Sequence, residues 1–299
     1  MSKGLIYTAL SAILYGSIGY FGAMLLSQGL SVAQLLFWRF FISTLMLLPF
    51  VLLKFRDANK TELKALAALF LNGAIFYGIS TALYFAASKS IGTGLAMVIF
   101  FGYPLFVTAL SVFVNGAPVG KITAISLLFI TTGCCMIAMG QSFKSDFQGI
   151  LFAMGAGLGY GLYIFCSKPA SKAVSPISGT FMVCLGGTLT FLLYTFQEGS
   201  HPLWTHNSFV WTHIILFGLF GTVLPVLLML LGLRTLSVSK ASIISVLEPV
   251  TTLGIGLWLL EELATPIQLI GALVILIGAV IIQLDKDEEQ ISLQQETHN

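Results

Sequence analysis

From Gly4 to Leu26 the chain carries no charged residue, and nine more predominantly apolar stretches of comparable length follow before residue 285. At about 1.5 Å of rise per residue, roughly 20 apolar residues in a helix cross the roughly 30 Å hydrocarbon core of a bilayer. Lipid offers no hydrogen-bond partners, so a spanning segment satisfies its own backbone as a helix or joins a closed barrel. Barrel strands are about ten residues long and alternate in polarity, whereas these runs are longer and unbroken. An all-α integral membrane protein is therefore expected. Composition agrees: 9% of residues are charged, against about a quarter in a domain whose surface faces water.

Polar, Gly and Pro clusters divide the chain into ten spans, at 4–27, 31–53, 63–87, 91–114, 120–140, 148–167, 176–196, 209–232, 238–260 and 265–284. The first run is too long for the apolar core of a signal peptide and reads as an uncleaved span. With ten spans, Lys3, Lys54, Arg56, Lys60, Lys64, Lys121, Lys168, Lys172, Arg234, Lys240 and Lys286 share the side of the N-terminus, and only Lys89 and Lys144 lie opposite. Basic residues collect in cytoplasmic loops, so both termini are expected in the cytoplasm and the membrane is expected to be the inner one. Trp204, Trp211 and Trp258 fall near the opposite boundary, as an aromatic belt would place them. The segment 285–299 is polar, lacks an apolar period and is expected to be a disordered cytoplasmic tail.

Several functions are excluded. A net charge of +2 without a basic tract excludes nucleic acid as a partner. Cys134, Cys135, Cys166 and Cys184 lie inside apolar runs with no metal spacing, and read as reduced packing residues. His201, His206 and His213, with Glu198, match no recognised zinc spacing and read as an outer loop. No span holds a histidine pair, an Asp or a Ser-His arrangement, so neither an enzyme nor a cofactor is expected. The glycines Gly155, Gly157, Gly159 and Gly161 follow no strand, so they are not a dinucleotide fingerprint; such spacing suits close helix packing or bending.

The chain also repeats itself. An offset of 145 residues, with no gap, pairs Gly4 with Gly149, Tyr15-Gly16 with Tyr160-Gly161, Gly73 with Gly218, Pro104 with Pro249 and Gly133 with Gly278. The division is residues 1–140 for a first five-helix repeat, 141–147 for an outer connecting loop and 148–284 for a second repeat. Five is odd, so the second repeat enters the membrane from the other side and is inverted. Inverted repeats are the usual architecture of secondary transporters, because exchanging the shapes of two similar halves turns a cavity from one side to the other.

The stretch Leu236–Ile282 contains Glu248-Pro249-Val250, Leu260-Glu261-Glu262, Gln268, Gly271 and Gly278. It resembles the closing signature of EamA-type members of the drug/metabolite transporter superfamily. Phe37-Trp38-Arg39-Phe40 and Tyr15-Gly16 resemble that family's elements in the second and first helices, and the similarity extends to residue 284. Two departures stand out: Tyr103-Pro104 where the second half has Glu248-Pro249, and Asn115-Gly116 where acidic residues follow the ninth span. The resemblance implies export or exchange of amino acids and related metabolites, proton-linked or by antiport, without ATP. It leaves open an exchange-type importer, and a flippase for a lipid-linked group remains the rival class. The partners to expect are a small-molecule substrate, membrane lipid and a proton, in a monomer or weak homodimer.

An ionisable group inside a span costs about 2.5–3.5 kcal/mol on insertion scales and is a functional candidate for that reason. Arg39 and Glu248 each lie eight residues from a helix end, about 12 Å deep, near the midplane. Glu248 is a candidate for proton coupling or for binding an amine, and Arg39 for binding a carboxylate. Each has a structural alternative, Arg39 tying its helix to neighbours or to Glu248 itself. Lys240 is expected to snorkel to the interface, the alternative being a cation on the floor of a cavity. Pro104 and Pro249 remove backbone donors and read as hinges, with Gly157 and Gly161 as packing positions. The resemblance adds Tyr77, Tyr84, Phe100 and Tyr103 as an aromatic wall beside Asn72, Ser80 and Ser245.

Overall fold

The structure is a computed structural model and describes residues 3–52, 60–116, 119–139, 146–197, 199, 207–259 and 263–284. Among the described residues ten helices are long and apolar enough to cross a membrane: α1 (Lys3–Ser27), α2 (Val32–Leu52), α3 (Thr61–Ile91), α4 (Thr93–Val114), α5 (Lys121–Ala138), α6 (Phe147–Ala173), α7 (Pro176–Gln197), α8 (Ser208–Leu233), α9 (Val238–Leu259) and α10 (Pro266–Leu284). No strand occurs among the described residues. The tail 285–299, the loop residues 141–145, Lys54, Arg56, Glu198, His201, Trp204, His206 and Leu260-Glu261-Glu262 lie outside the described residues.

Two helices run past the ends that charge suggested. α6 continues to Ala173 rather than 167, with Pro169 inside it. Lys168, whose charge marked an end, donates from Nζ to the Leu236 carbonyl at 3.0 Å; the charge is satisfied there and the helix need not stop. α3 continues to Ile91 rather than 87 and carries Lys89 in its last turn, where a cation faces the unpaired carbonyls favourably.

Three spans are interrupted by two-residue turns. α1 divides into α1a (Lys3–Tyr15) and α1b (Ile18–Ser27), α4 into α4a (Thr93–Phe100) and α4b (Tyr103–Asn115), and α9 into α9a (Val238–Ser245) and α9b (Glu248–Leu259). Pro104 and Pro249 explain the last two. A proline ring clashes with the carbonyl four residues earlier and offers no N–H, so a helix breaks before it and restarts with the proline in its first turn. α3 and α8 each contain a π-helical stretch, Asn72–Gly78 and Leu219–Val223. Such stretches are rare and concentrate at functional sites.

The breaks in α4 and α9 and the two π-helical stretches obey the repeat, whereas the break in α1 falls opposite an unbroken stretch of α6. Adding 145 to the break at 101–102 lands on the break at 246–247, and 72–78 maps onto 217–223, which contains the second π-helical stretch. Packing obeys it as well. α1 packs on α8 as α6 packs on α3, while α5 pairs with α10 and α2 with α7. A Cβ added to Gly4 would collide with Thr235, and one added to Gly149 would collide with Ser90, the same contact in each half. The chain is two inverted five-helix repeats, related helix by helix.

Candidate functional site

The two breaks place Tyr103 and Glu248, repeat counterparts, at the starts of α4b and α9b. Glu248 is half-buried. Its main-chain carbonyl accepts from the Thr251 and Thr252 hydroxyls at 2.9 and 3.0 Å, while among the described residues no hydrogen bond or ion pair reaches its carboxylate. The side chain lies within electrostatic range of Arg39, Tyr77, Tyr84, Tyr103 and Tyr160.

Arg39 is buried, with 2% of its surface exposed. Nε donates to Thr222 Oγ1 at 2.7 Å, and Nη2 donates to the Tyr77 hydroxyl at 2.9 Å and the Gly221 carbonyl at 2.7 Å. The guanidinium also sits 4.9 Å from the Phe217 ring centroid and 5.2 Å from that of Phe40, where the ring quadrupole favours a cation. Tyr77 and Thr222 are 145 residues apart, so Arg39 ties the two repeats together at equivalent points of α3 and α8. The alternative in which Arg39 pairs directly with Glu248 is not what the structure shows: hydroxyls and a carbonyl of the π-helical stretches take the charge instead. None of the three bonds uses Nη1.

Aromatic rings join these groups. Tyr84 and Phe100 are 5.2 Å apart, Phe100 and Tyr103 5.7 Å, Tyr103 and Tyr160 4.9 Å, Tyr160 and Tyr163 5.8 Å, and Tyr163 stacks on Tyr77 at 4.9 Å. The Tyr77 hydroxyl reaches that of Tyr15 at 3.3 Å, and the fully buried Tyr163 hydroxyl has no partner among the described residues. Edge-to-face and offset ring pairs each add about 0.5–1.5 kcal/mol beyond area burial, so the ring cluster is a rigid wall.

Six expected site residues therefore come together: Arg39, Tyr77, Tyr84, Phe100, Tyr103 and Glu248. Of the other three, Ser245 also meets the Tyr103 hydroxyl, while Ser80 and Asn72 contact α6. Ser80 donates to the Ala156 carbonyl of α6 at 2.6 Å, Ser245 to Ala241 of its own helix at 2.8 Å, and Asn72 reaches Ser167 at 3.5 Å. Gly157 and Gly161 bring α6 onto α4: a Cβ on Gly157 would lie 2.9 Å from the Phe100 carbonyl, and one on Gly161 3.3 Å from Val107. Lys240 is buried at 6% exposure rather than snorkelling, because α9a is enclosed by neighbouring helices. Sequence reasoning missed Tyr15, Tyr160, Tyr163 and Thr222. The first two were visible as repeat landmarks, and Thr222 as the counterpart of Tyr77.

At the far side from the N-terminus, Asp146 caps α6 through the Gln148 and Gly149 N–H groups and accepts a hydrogen bond from Ser90. The Ser90 hydroxyl, with help from those N–H groups, holds the Asp146 carboxyl below the usual carboxylate range.

The model of the EamA-like transporter family matches residues 2–139 and again 147–284. A protein of Archaeoglobus fulgidus described as an uncharacterized transporter is 30% identical over 273 residues, 91% of this chain and 93% of that one. The threonine/homoserine exporter RhtA of Escherichia coli is 25% identical over 215 residues, 69% of this chain and 68% of its own. A solved crystal structure matches with a TM-score of 0.79 at 15% identity, covering 95% of this chain and 97% of the other, a likeness of fold.

Proposed function

Since this chain belongs to the EamA-like transporter family, we propose that it is a secondary-active exporter of amino acids or related small polar metabolites, working by alternating access. Its home is the inner membrane, with both termini in the cytoplasm, and its two repeats exchange shapes around the centre where α4 and α9 break. The observation that carries the substrate class is the pairing of opposite charges across an aromatic wall. Arg39, with Nη1 outside its structural bonds, suits a carboxylate, and the Glu248 carboxylate suits an ammonium group or a proton. Tyr77, Tyr84, Phe100, Tyr103 and Tyr160 supply flat walls and hydroxyls between them. The distant likeness to an exporter of threonine and homoserine supports the same class.

The test is counterflow in proteoliposomes loaded with unlabelled threonine, homoserine or another neutral amino acid. Uptake of the labelled counterpart is expected, and Arg39→Ala should reduce it at least tenfold. Counterflow of phosphorylated sugars or a lipid-linked sugar in place of every amino acid tested would overturn the reading.

A further inference from the structure

The two breaks are sequence counterparts, yet their hydrogen bonding differs. In α9, Val246 N–H bonds back three residues to the Ile243 carbonyl at 3.2 Å. That step leaves the Ser242 carbonyl without its usual helical donor, and the Tyr103 hydroxyl donates to it at 3.2 Å. In α4, the counterpart Phe101 N–H bonds back four residues to Met97 at 2.8 Å. Met97 is the counterpart of Ser242, and Glu248 is the counterpart of Tyr103. Thus the donor, the three-residue step and the freed carbonyl are present together once, between α4b and α9a, and all three have sequence counterparts between α9b and α4a. Helix packing matches this: α4b packs on α9a, and among the described residues α4a and α9b make no comparable contact.

We infer that Tyr103 and Glu248 are alternate gate donors, one for each half of the transport cycle. With Tyr103 on the Ser242 carbonyl, the N-terminal side is shut. When the repeats exchange shapes, the α4 break takes the form now seen in α9, the Met97 carbonyl is freed, and Glu248 takes the role of Tyr103. A tyrosine hydroxyl always has a proton to donate, but a carboxyl donates only when protonated. Closing the far side therefore requires a proton on Glu248, taken from that side while the carboxylate is accessible and released to the N-terminal side once that opens. One proton moves inward per cycle, and the carboxylate form returns. The inference rests on the alternating-access reading above and adds to it the group that couples the proton to the gate.

The other groups around Glu248 are compatible with this assignment. Within electrostatic range of it are Arg39 of α2, Tyr77 and Tyr84 of α3, Tyr103 of α4 and Tyr160 of α6. α9b packs on α1, whose titratable groups are Lys3, Tyr7, Tyr15 and Tyr20, and on α10, which has none within Pro266–Ile281. Glutamate is the one carboxylic acid of the set, and tyrosine, lysine and arginine ordinarily keep their protons to about pH 10.

The experiment uses the full chain in proteoliposomes with native cysteines replaced and a reporter on each gate: Thr108→Cys on α4b, buried here, or its counterpart Leu253→Cys on α9b, half-buried here. Maleimide labelling is followed from about pH 9 to about pH 5, each rate divided by that of a fully exposed control cysteine at the same pH, because the thiolate is the reacting form. Acidification should slow labelling at position 253 and speed it at position 108, each at least threefold. Glu248→Gln, whose amide donates at every pH, should label at both pH values as the acidified protein does. Glu248→Ala should label throughout as the alkaline one does. Tyr103→Phe should speed labelling at position 108 at every pH. Retention of the pH response in Glu248→Gln, or identical labelling of the Gln and Ala variants, would sink the assignment even with amino-acid counterflow intact. Gated labelling without amino-acid counterflow would instead remove the substrate class and leave the gate standing.

Discussion

α9a and α9b are halves of one span, separated by two residues, and their surroundings are opposite. All eight residues of α9a are buried, Lys240 included, while α9b buries only Pro249 and Gly256. Two glycines differ in the same sense, although Gly16 approaches Thr251 of α9b as closely as Gly4 approaches Thr235. A Cβ on Gly232, at the N-terminal side, would collide with Thr8, whereas one on Gly254 of α9b would meet nothing within 4 Å. Arg234 ties the N-terminal side further, donating to the Ser171 and Val174 carbonyls at the end of α6, where a cation complements the helix dipole. Its repeat counterpart, Lys89, is exposed. Two halves with equivalent sequence frameworks thus carry different packing: α9a is enclosed by neighbouring helices, and α9b is not.

The largest expected effect strikes where the two regions meet. Arg39→Ala removes three charge-assisted bonds and strands the Thr222 hydroxyl and Gly221 carbonyl, so a loss of about 3 kcal/mol or more is expected, read as a fall in Tm in detergent. Retention of wild-type Tm would mean that Arg39 does not hold the repeats together. Next in size is the pair Gly232→Ala and Gly254→Ala. The first should cost about 1–3 kcal/mol by overpacking, and the second should be neutral or stabilise by up to about 1 kcal/mol through helix propensity. Equal Tm changes would erase the contrast between the two sides. The smallest effect is expected at Asp146, the tie at the side far from the N-terminus. Its lowered carboxyl pKa means that its contribution is fully present above the ordinary carboxylate range and fades only as pH falls through the lowered value. Thermal stability near neutral pH should therefore be insensitive to its titration, and Asp146→Asn should flatten the acid limb of the stability profile. An unchanged acid limb would assign that limb to other groups.

Much of this architecture is legible in the chain itself. The ten spans, the offset of 145 residues and the central Arg39 and Glu248 follow from lipid's intolerance of unpaired backbone and isolated charge. The prolines at 104 and 249 announce the breaks. Less legible were the partners of Arg39. A guanidinium can be satisfied by hydroxyls, carbonyls or a carboxylate, and which one it meets depends on how α2, α3 and α8 are packed. The carbonyl partners of the Ser80 and Ser245 hydroxyls, Ala156 and Ala241, were likewise not legible in sequence.

Sequence by itself determined the number of helices, their inversion and the residue types placed at the centre, because these follow from local chemistry and from an internal repeat. Only the tertiary structure decided which of two equivalent gates is shut. A repeat specifies both arrangements equally, and the choice is a collective matter of which helix halves touch: Tyr103 reaches Ser242 here, while Glu248 faces no carbonyl of α4.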